Sequence, residues 1–363
     1  MGRFKSFLYN IYLLYPYATG RVKRYHQFKE AKGSFHKLFD QIYWLFSERT
    51  INRNYYLQGI DSKDRKVSNY IGPHQVLRIQ NEANKFLRKR LGYNSPMEYL
   101  TKDKFIFASF AKGSGIPVAE TLFIQVFGKI TSVARYKKID ELEDGIYFIK
   151  NTTLESGEGV KKFDIKDSRI HIDGKEVSEE CFLNAFNKGV WIIQRGLFAH
   201  NMIRKINTSA LNTTRIYTIN TGSSIEYLGS FQAFATDDAT IDSWQFGSVY
   251  VGINSLSNKL SRYGVTSLTD SRPGLLDKHP NSDITFEDYE IPFIQQSIDL
   301  CKHTHSLLYG FFIIGWDVAI TEKGPIIIEA NEKPGINVIQ CFTGGLKPTL
   351  KQGLKQLKKL VNE

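Results

Sequence analysis

The chain has 363 residues, of which 42% are hydrophobic and 13% aromatic, which excludes a disordered segment and allows two or more domains with real cores. No apolar run reaches the roughly 18 residues needed to span a bilayer. The formal net charge is +11, which favours anionic partners such as nucleotides, acidic saccharides or anionic lipid. No zinc finger, basic zipper or aromatic RNA-binding strand motif occurs, so no nucleic-acid partner is expected. The three cysteines, Cys181, Cys301 and Cys341, are widely spaced. They form neither a disulfide framework nor a zinc motif, and a reducing, cytoplasmic setting is expected.

Residues 1 to about 95 read as helical and are rich in Lys, Arg and Tyr. Arg21, Lys23, Arg24, Lys29 and Lys32 cluster there. A solvated basic face and a surface that meets membrane or polysaccharide both fit this pattern. The segment 7–15, FLYNIYLLY, is short, aromatic and interrupted by Asn10, with no small-residue cleavage site after it; it reads poorly as a signal peptide.

From about residue 96 the pattern changes. Met97 to Lys112 suits a helix, ended by Gly113-Ser-Gly-Ile-Pro117. Strand-like runs follow at 121–126 and 147–150. Lys150 then stands at a strand end before a loop containing Ser156-Gly157-Glu158-Gly159. Glycines let backbone N–H groups approach a phosphate, but a plain hairpin turn fits the same residues. The loop lacks P-loop spacing, and no protein-kinase catalytic loop is present. Ser178-Glu-Glu starts a helix with a capping residue and first-turn acids. Further strands are expected at 190–194, 215–220, 225–234, 249–253, 315–320 and 325–329. His303 and His305 lie two apart in a helix, face different ways, and read as structural or surface residues. Pro348 to Val361 carries Leu350, Leu354, Leu357 and Val361 at helical spacing opposite lysines, as a docked terminal helix would. The sum is an α+β chain with mostly antiparallel sheets.

The last two strands carry the strongest local chemistry. Two apolar runs flank Thr321-Glu-Lys-Gly-Pro325, a hairpin signal. With Lys323 at the centre, Ile320 pairs with Ile326 and Asp317 with Glu329. Asp317, Glu329 and Asn331 then converge on one face. Two carboxylates meeting at a buried strand end repel, and a divalent cation removes that conflict. All-oxygen donors point to Mg2+ or Mn2+. An ordinary hairpin with its acids in solvent is the other reading.

The order of features extends this. It runs Asp103-Lys104, Gly115-Ile-Pro-Val118, Lys150 with its glycine loop, Trp191-Ile-Ile-Gln-Arg195, Arg215, Asp317, then Glu329 with Asn331. It resembles the ATP-grasp superfamily, and more narrowly the sugar-transfer-associated ATP-grasp family. The narrower resemblance rests on Asn207-Thr-Ser-Ala-Leu-Asn-Thr-Thr-Arg215, on His279-Pro280 with Ile291-Pro292, and on Gly315-Trp-Asp-Val-Ala running into Glu329-Ala-Asn331. It covers roughly residues 55–345. Thr208 stands where that family tends to have proline, and Glu-Lys-Pro-Gly follows Asn331 in place of a Trp-containing turn.

The resemblance implies an ATP-grasp fold, two α+β subdomains holding ATP between them, here with a helical N-terminal extension. The expected divisions are 1–95, 96–194 and 195–363. It implies that Lys104 and Lys150 hold ATP phosphates, with Ser156, Gly157 and Gly159 in the phosphate loop. Ile193, Gln194 and Arg195 would form the hinge beside adenine, mostly through backbone groups. Asp317, Glu329 and Asn331 would bind Mg2+, and Arg215 and Lys150 would serve the transferred phosphoryl group. The implied activity is ATP-dependent carboxylate–amine ligation through an acyl-phosphate, with an anionic saccharide or amino acid as substrate, in cell-surface polysaccharide synthesis. An ATP-dependent phosphotransferase and a non-catalytic ATP-binding module of a glycan assembly complex are the alternatives.

Overall fold

The computed structural model describes residues 12, 30–92, 97–154, 159–267 and 274–362. Four of the five N-terminal basic residues named above, Arg21, Lys23, Arg24 and Lys29, lie outside them, as do Ser156 and Gly157. Two helices open the described chain, α1 (Ser34–Glu48) and α2 (Pro73–Leu91). Helix α2 starts on a proline, whose missing N–H costs nothing in the first turn, and ends at Gly92 in a left-handed conformation.

The helix expected over 97–112 is two helices. Helix α3 (Tyr99–Lys102) stops at Asp103 and α4 (Lys104–Gly113) begins there. The Asp103 carboxylate accepts from the backbone N–H of Phe105 and Ile106. It satisfies donors that a continuous helix would have bonded to carbonyls, so the cap competes with helix continuation and wins.

Among the described residues the strands form two seven-stranded sheets, with every named strand pair antiparallel. The first comprises β1 (Thr121–Val126), β2 (Lys129–Ser132), β3 (Gly145–Asn151), β4 (Val160–Lys166), β5 (Arg169–Ile172), β6 (Lys175–Val177) and β7 (Val190–Arg195), in the order β2-β1-β7-β3-β4-β5-β6. One face packs Tyr147, Ile149, Phe163 and Ile193 against α5 (Glu179–Ala185), which Ser178 caps as expected. Six strands, β2, β4, β5 and β6 here and two more in the second sheet, were not read in the sequence: four have only two to four residues, and the two of seven residues are interrupted by lysine or arginine.

The second sheet comprises β8 (Thr214–Asn220), β9 (Ile225–Phe234), β10 (Val249–Asn254), β11 (Lys259–Val265), β12 (Leu275–Leu276), β13 (Ile313–Thr321) and β14 (Gly324–Asn331). Its order is β12-β11-β10-β9-β8-β13-β14. Cores lie on both faces. One holds Trp316, Val318, Ile327 and Ala330 with α6 (Asn201–Ile206) and α7 (Ile294–Leu307). The other holds Tyr217, Phe231 and Tyr250 with α2, α8 (Ile339–Thr343) and α9 (Lys347–Asn362). Leu350, Leu354 and Leu357 are buried, so the terminal helix docks on this core. The two sheets join at the edge of β14, where Val118 bridges Ile327 and the Ile327 N–H donates to the Pro117 carbonyl at 2.9 Å.

Candidate active site

The β13–β14 hairpin builds the site. Asp317 does pair with Glu329, but the expected register is corrected nearer the turn. Thr321 faces Gly324 across a two-residue turn, and Ile320 faces Pro325, not Ile326. A bulge at Ile328 shifts the register between Val318 and Asp317. This extra residue has a chemical consequence. Ile327 and Ala330 both pack in the apolar core behind the sheet. Simple alternation from Ile327 would send Glu329 into that core; the bulge turns it to the opposite face.

Three strands then carry one charged rung. Asp317 pairs with Glu329 on β14 and with Arg215 on β8. Arg215 donates from Nε to Asp317 Oδ1 at 2.5 Å and from Nη2 to Oδ2 at 2.9 Å. Asn331 donates from Nδ2 to Asp317 Oδ2 at 3.3 Å and to Glu329 Oε1 at 3.2 Å. Burial pushes Asp317 up to about 7, with Glu329 adding and Arg215 opposing. Burial also raises Glu329, but the hydrogen bond with Asp317 and the charges of Lys104 and Arg215 outweigh it and hold Glu329 below the usual range. Burial lowers Arg215, yet the Asp317 charge keeps it well above the ordinary guanidinium range.

The first sheet supplies two cations facing this rung. Burial pulls Lys150, near the end of β3, down to about 8; Glu329 opposes and Lys104 adds to the shift. Lys104 is the first residue of α4. Its backbone N–H donates to Thr152 O at 2.9 Å and its Nζ to Leu154 O at 2.5 Å. The Asp103 break thus sets Lys104 beside the β3 end. Gly159 closes the β3–β4 connection in a left-handed conformation, with its carbonyl accepting from Asn151.

The hinge residues divide. Lys150 pairs with Ile192, and Phe148 with Gln194, so these side chains share one face of the sheet. Gln194 donates to Thr121 Oγ1 at 3.1 Å. Ile193 and Arg195 point to the other face, Ile193 into the core and Arg195 to Tyr136 Oη and Glu143 Oε2, both at 3.1 Å. Toward a ligand on the Lys150 face, Ile193 and Arg195 present backbone alone.

Several neighbours were missed by sequence reasoning. Gly315 makes room for the site floor: a Cβ there would stand 2.7 Å from Pro334 Cβ and 3.3 Å from Arg215 Nη1. Tyr217, two residues beyond Arg215 on the same face, donates to Gly335 O at 2.7 Å. The Glu-Lys-Pro-Gly turn therefore packs onto this floor, and Glu332 is buried beneath it. Phe231 lies opposite Arg215, Tyr250 stacks on Phe231 at 4.9 Å between centroids, and Trp244 lies on Tyr250 at 5.1 Å. The period-2 rule applied from Arg215 would have found Tyr217; the aromatic row depends on strand order, which no local pattern encodes.

The sequence matches the profile of the sugar-transfer associated ATP-grasp family over residues 84–355. This chain belongs to that family. The sugar-transfer associated ATP-grasp family supplies the fold name for the two-sheet architecture described above. No curated protein matches the sequence. Among solved structures, the chain is similar to the ATP-grasp ligase PsnB complexed with minimal precursor, Mg and ADP. The identity is 13% and the TM-score 0.38, covering 73% of this chain and 62% of PsnB. It is also similar to the D-alanine–D-alanine ligase from Coxiella burnetii, at 9% identity and a TM-score of 0.41, covering 72% of this chain and 59% of that one. The D-alanyl-alanine synthetase A from Vibrio cholerae gives 10% and 0.42, covering 72% and 65%. The chain thus matches less than two thirds of each of these proteins.

The donor set fits Mg2+. Among the described residues no three His, Cys, Asp or Glu side chains cluster around a metal-sized gap. Two carboxylates and an amide do converge, the sparse all-oxygen set that Mg2+ uses when phosphates complete its shell. Asn331 now turns its nitrogen to both carboxylates; rotating the amide end for end would offer its oxygen instead.

Proposed function

We propose that this protein is an ATP-dependent carboxylate–amine ligase that works through an acyl-phosphate. Its substrate in this reading is a sugar, a uronic acid or an amino sugar, joined to an amino acid or amine in cell-surface polysaccharide biosynthesis. One observation carries the reading: the Glu329–Asp317–Arg215 rung faces Lys150 and Lys104 across the junction of the sheets. Two carboxylates and three cations concentrated in one partly buried place suit a reaction between two anionic reactants.

In this reading residues 96–194 and 195–363 hold ATP between them in the cytoplasm, with 1–95 as an extension. Adenine lies against the backbone of Ile193, Gln194 and Arg195. Lys104 and Lys150 bind the phosphates, joined by backbone N–H groups of Ser156, Gly157 and Gly159. Asp317, Glu329 and Asn331 would hold Mg2+, which when bound neutralises phosphate charge and polarises the transferred phosphoryl group. Arg215 offsets charge on that group as the substrate carboxylate oxygen bonds to the γ-phosphorus and ADP leaves. The amine nitrogen then bonds to the acyl carbon, phosphate departs with the C–O electron pair, and the amine loses a proton. The family's sugar-transfer association supports a saccharide substrate, and the excess of positive charge supports an anionic one.

The test is ATP turnover against a panel of uronic acids and amino acids, read by mass spectrometry. ADP, phosphate and an amide are expected. ADP with a stable phosphorylated product would replace the ligase by a phosphotransferase, and absence of turnover across the panel would leave a binding module.

A further inference from the structure

Helix α1 is amphipathic in the wrong direction for a soluble surface. Its buried face carries Lys37, Gln41, Trp44 and Glu48. Its outer face carries Phe35, Phe39, Tyr43 and Phe46, which are 78%, 65%, 39% and 84% exposed. At 100° per residue these four fall within about 80° of arc, with Ile42 beside them. Isolated exposed aromatics need no explanation, but a contiguous stripe does.

The inversion is fixed by hydrogen bonding. Glu48 accepts from the N–H groups of Gly72, His74 and Gln75 at 2.9, 3.0 and 3.2 Å, capping the start of α2. Gln41 exchanges two bonds with the Asn52 backbone, at 3.1 and 2.8 Å. These polar residues are held inward, so the aromatic face cannot roll under without orphaning them.

Charge selects the partner. The two acids of α1 are both engaged inward: Glu48 as above, and Asp40 with Lys32 at 2.7 Å and Tyr55 at 2.6 Å. Exposed Arg49 and Arg53 follow the helix. The 33 residues before it hold seven Lys and Arg against one acid, Glu30. An aromatic stripe without outward acids, followed by exposed Arg49 and Arg53 and preceded in sequence by a basic stretch, has the chemistry of an interfacial helix on an anionic bilayer. We infer that α1 docks this protein on an anionic membrane surface, with Phe35, Phe39 and Phe46 inserted at the headgroup–acyl boundary. Among the described residues no helix is long and apolar enough to cross a membrane, so the attachment made by α1 lies along the surface.

The test is co-sedimentation of the full chain with phosphatidylcholine vesicles, with and without about one third phosphatidylglycerol. Binding is expected only with the anionic lipid and should weaken as salt rises. The triple variant Phe35→Ser, Phe39→Ser, Phe46→Ser should lower the partition coefficient at least about tenfold while keeping its Tm. Leucine at the same three positions should retain most of the binding. A wild-type chain that stays in the supernatant, or a serine variant that sediments equally well, overturns the inference. So does a concentration-dependent dimer that the serine variant abolishes, which would make a second copy the occupant. None of these readouts depends on turnover.

Discussion

Arg215 grips Asp317 through two parallel hydrogen bonds, at 2.5 and 2.9 Å, from the adjacent strand. Strand neighbours bonded in this way form a partly buried fork–fork pair. Arg215 is therefore a counter-ion to the proposed metal ligand, and in the proposed reaction also a cation for the transferred group. Replacing it by lysine keeps the charge but loses the fork. Arg215→Lys should lower kcat about 100-fold and leave the ATP KM within about threefold. Steady-state kinetics at saturating substrate check this; a raised KM with kcat preserved would assign Arg215 to ATP binding instead.

Glu329 and Asp317 face each other with Asn331 bridging them. Glu329→Gln removes one anionic donor but preserves shape. Turnover should fall about 1,000-fold, and Mg2+ should raise the Tm of the wild type but not of the variant. Full activity in Glu329→Gln, or an equal Mg2+ effect on both proteins, would remove this face from metal binding.

Lys150 is pulled down to about 8, chiefly by burial. It is charged below that pH and neutral above it. ATP affinity should therefore be flat below about pH 7 and weaken as pH rises through 8. Lys150→Met should bind ATP at least about tenfold more weakly, with the pH dependence gone. Calorimetric titrations from pH 6.5 to 9.5 measure both; an unchanged slope in the variant would place the titration elsewhere.

His305 is fully buried behind the site and pushed down to about 4 by burial, opposed by its bond to Phe311 O. Trp316 Nε1 donates to Thr218 Oγ1 at 2.8 Å, Thr218 Oγ1 lies 2.7 Å from His305 Nδ1, and His305 Nε2 lies 3.0 Å from Phe311 O. A neutral ring protonated at Nε2 satisfies this whole chain. As pH falls, the unfolded ring takes up its proton near 6.5, before the folded one does. Stability present above pH 6.5 is therefore lost between 6.5 and 4, by about 3 kcal/mol. Unfolding free energies from urea titrations at pH 7.5 and 4.5 should differ less in His305→Gln than in the wild type, by about that amount. Equal pH slopes would show that His305 is not the group responsible.

The sequence by itself determined where several elements begin and end. Strands 121–126 and 225–234 were read at their observed ends, because runs of β-branched, leucine and aromatic residues and the turn residues that flank them act locally. The Asp317–Glu329 pairing was also legible, although its register was counted from the wrong turn. Tertiary structure decided the rest. The Ile328 bulge is a compromise between the core behind β14 and the charge in front of it, and neither is visible in the string Ile-Ile-Ile-Glu. The break at Asp103 depended on a side chain outcompeting a helical hydrogen bond. Arg215, 102 residues from Asp317, reached it because β8 pairs on one side with its sequence neighbour β9 and on the other with the distant β13. Local propensity fixes which residues extend or coil; only strand order, bulges and burial decide which charges meet.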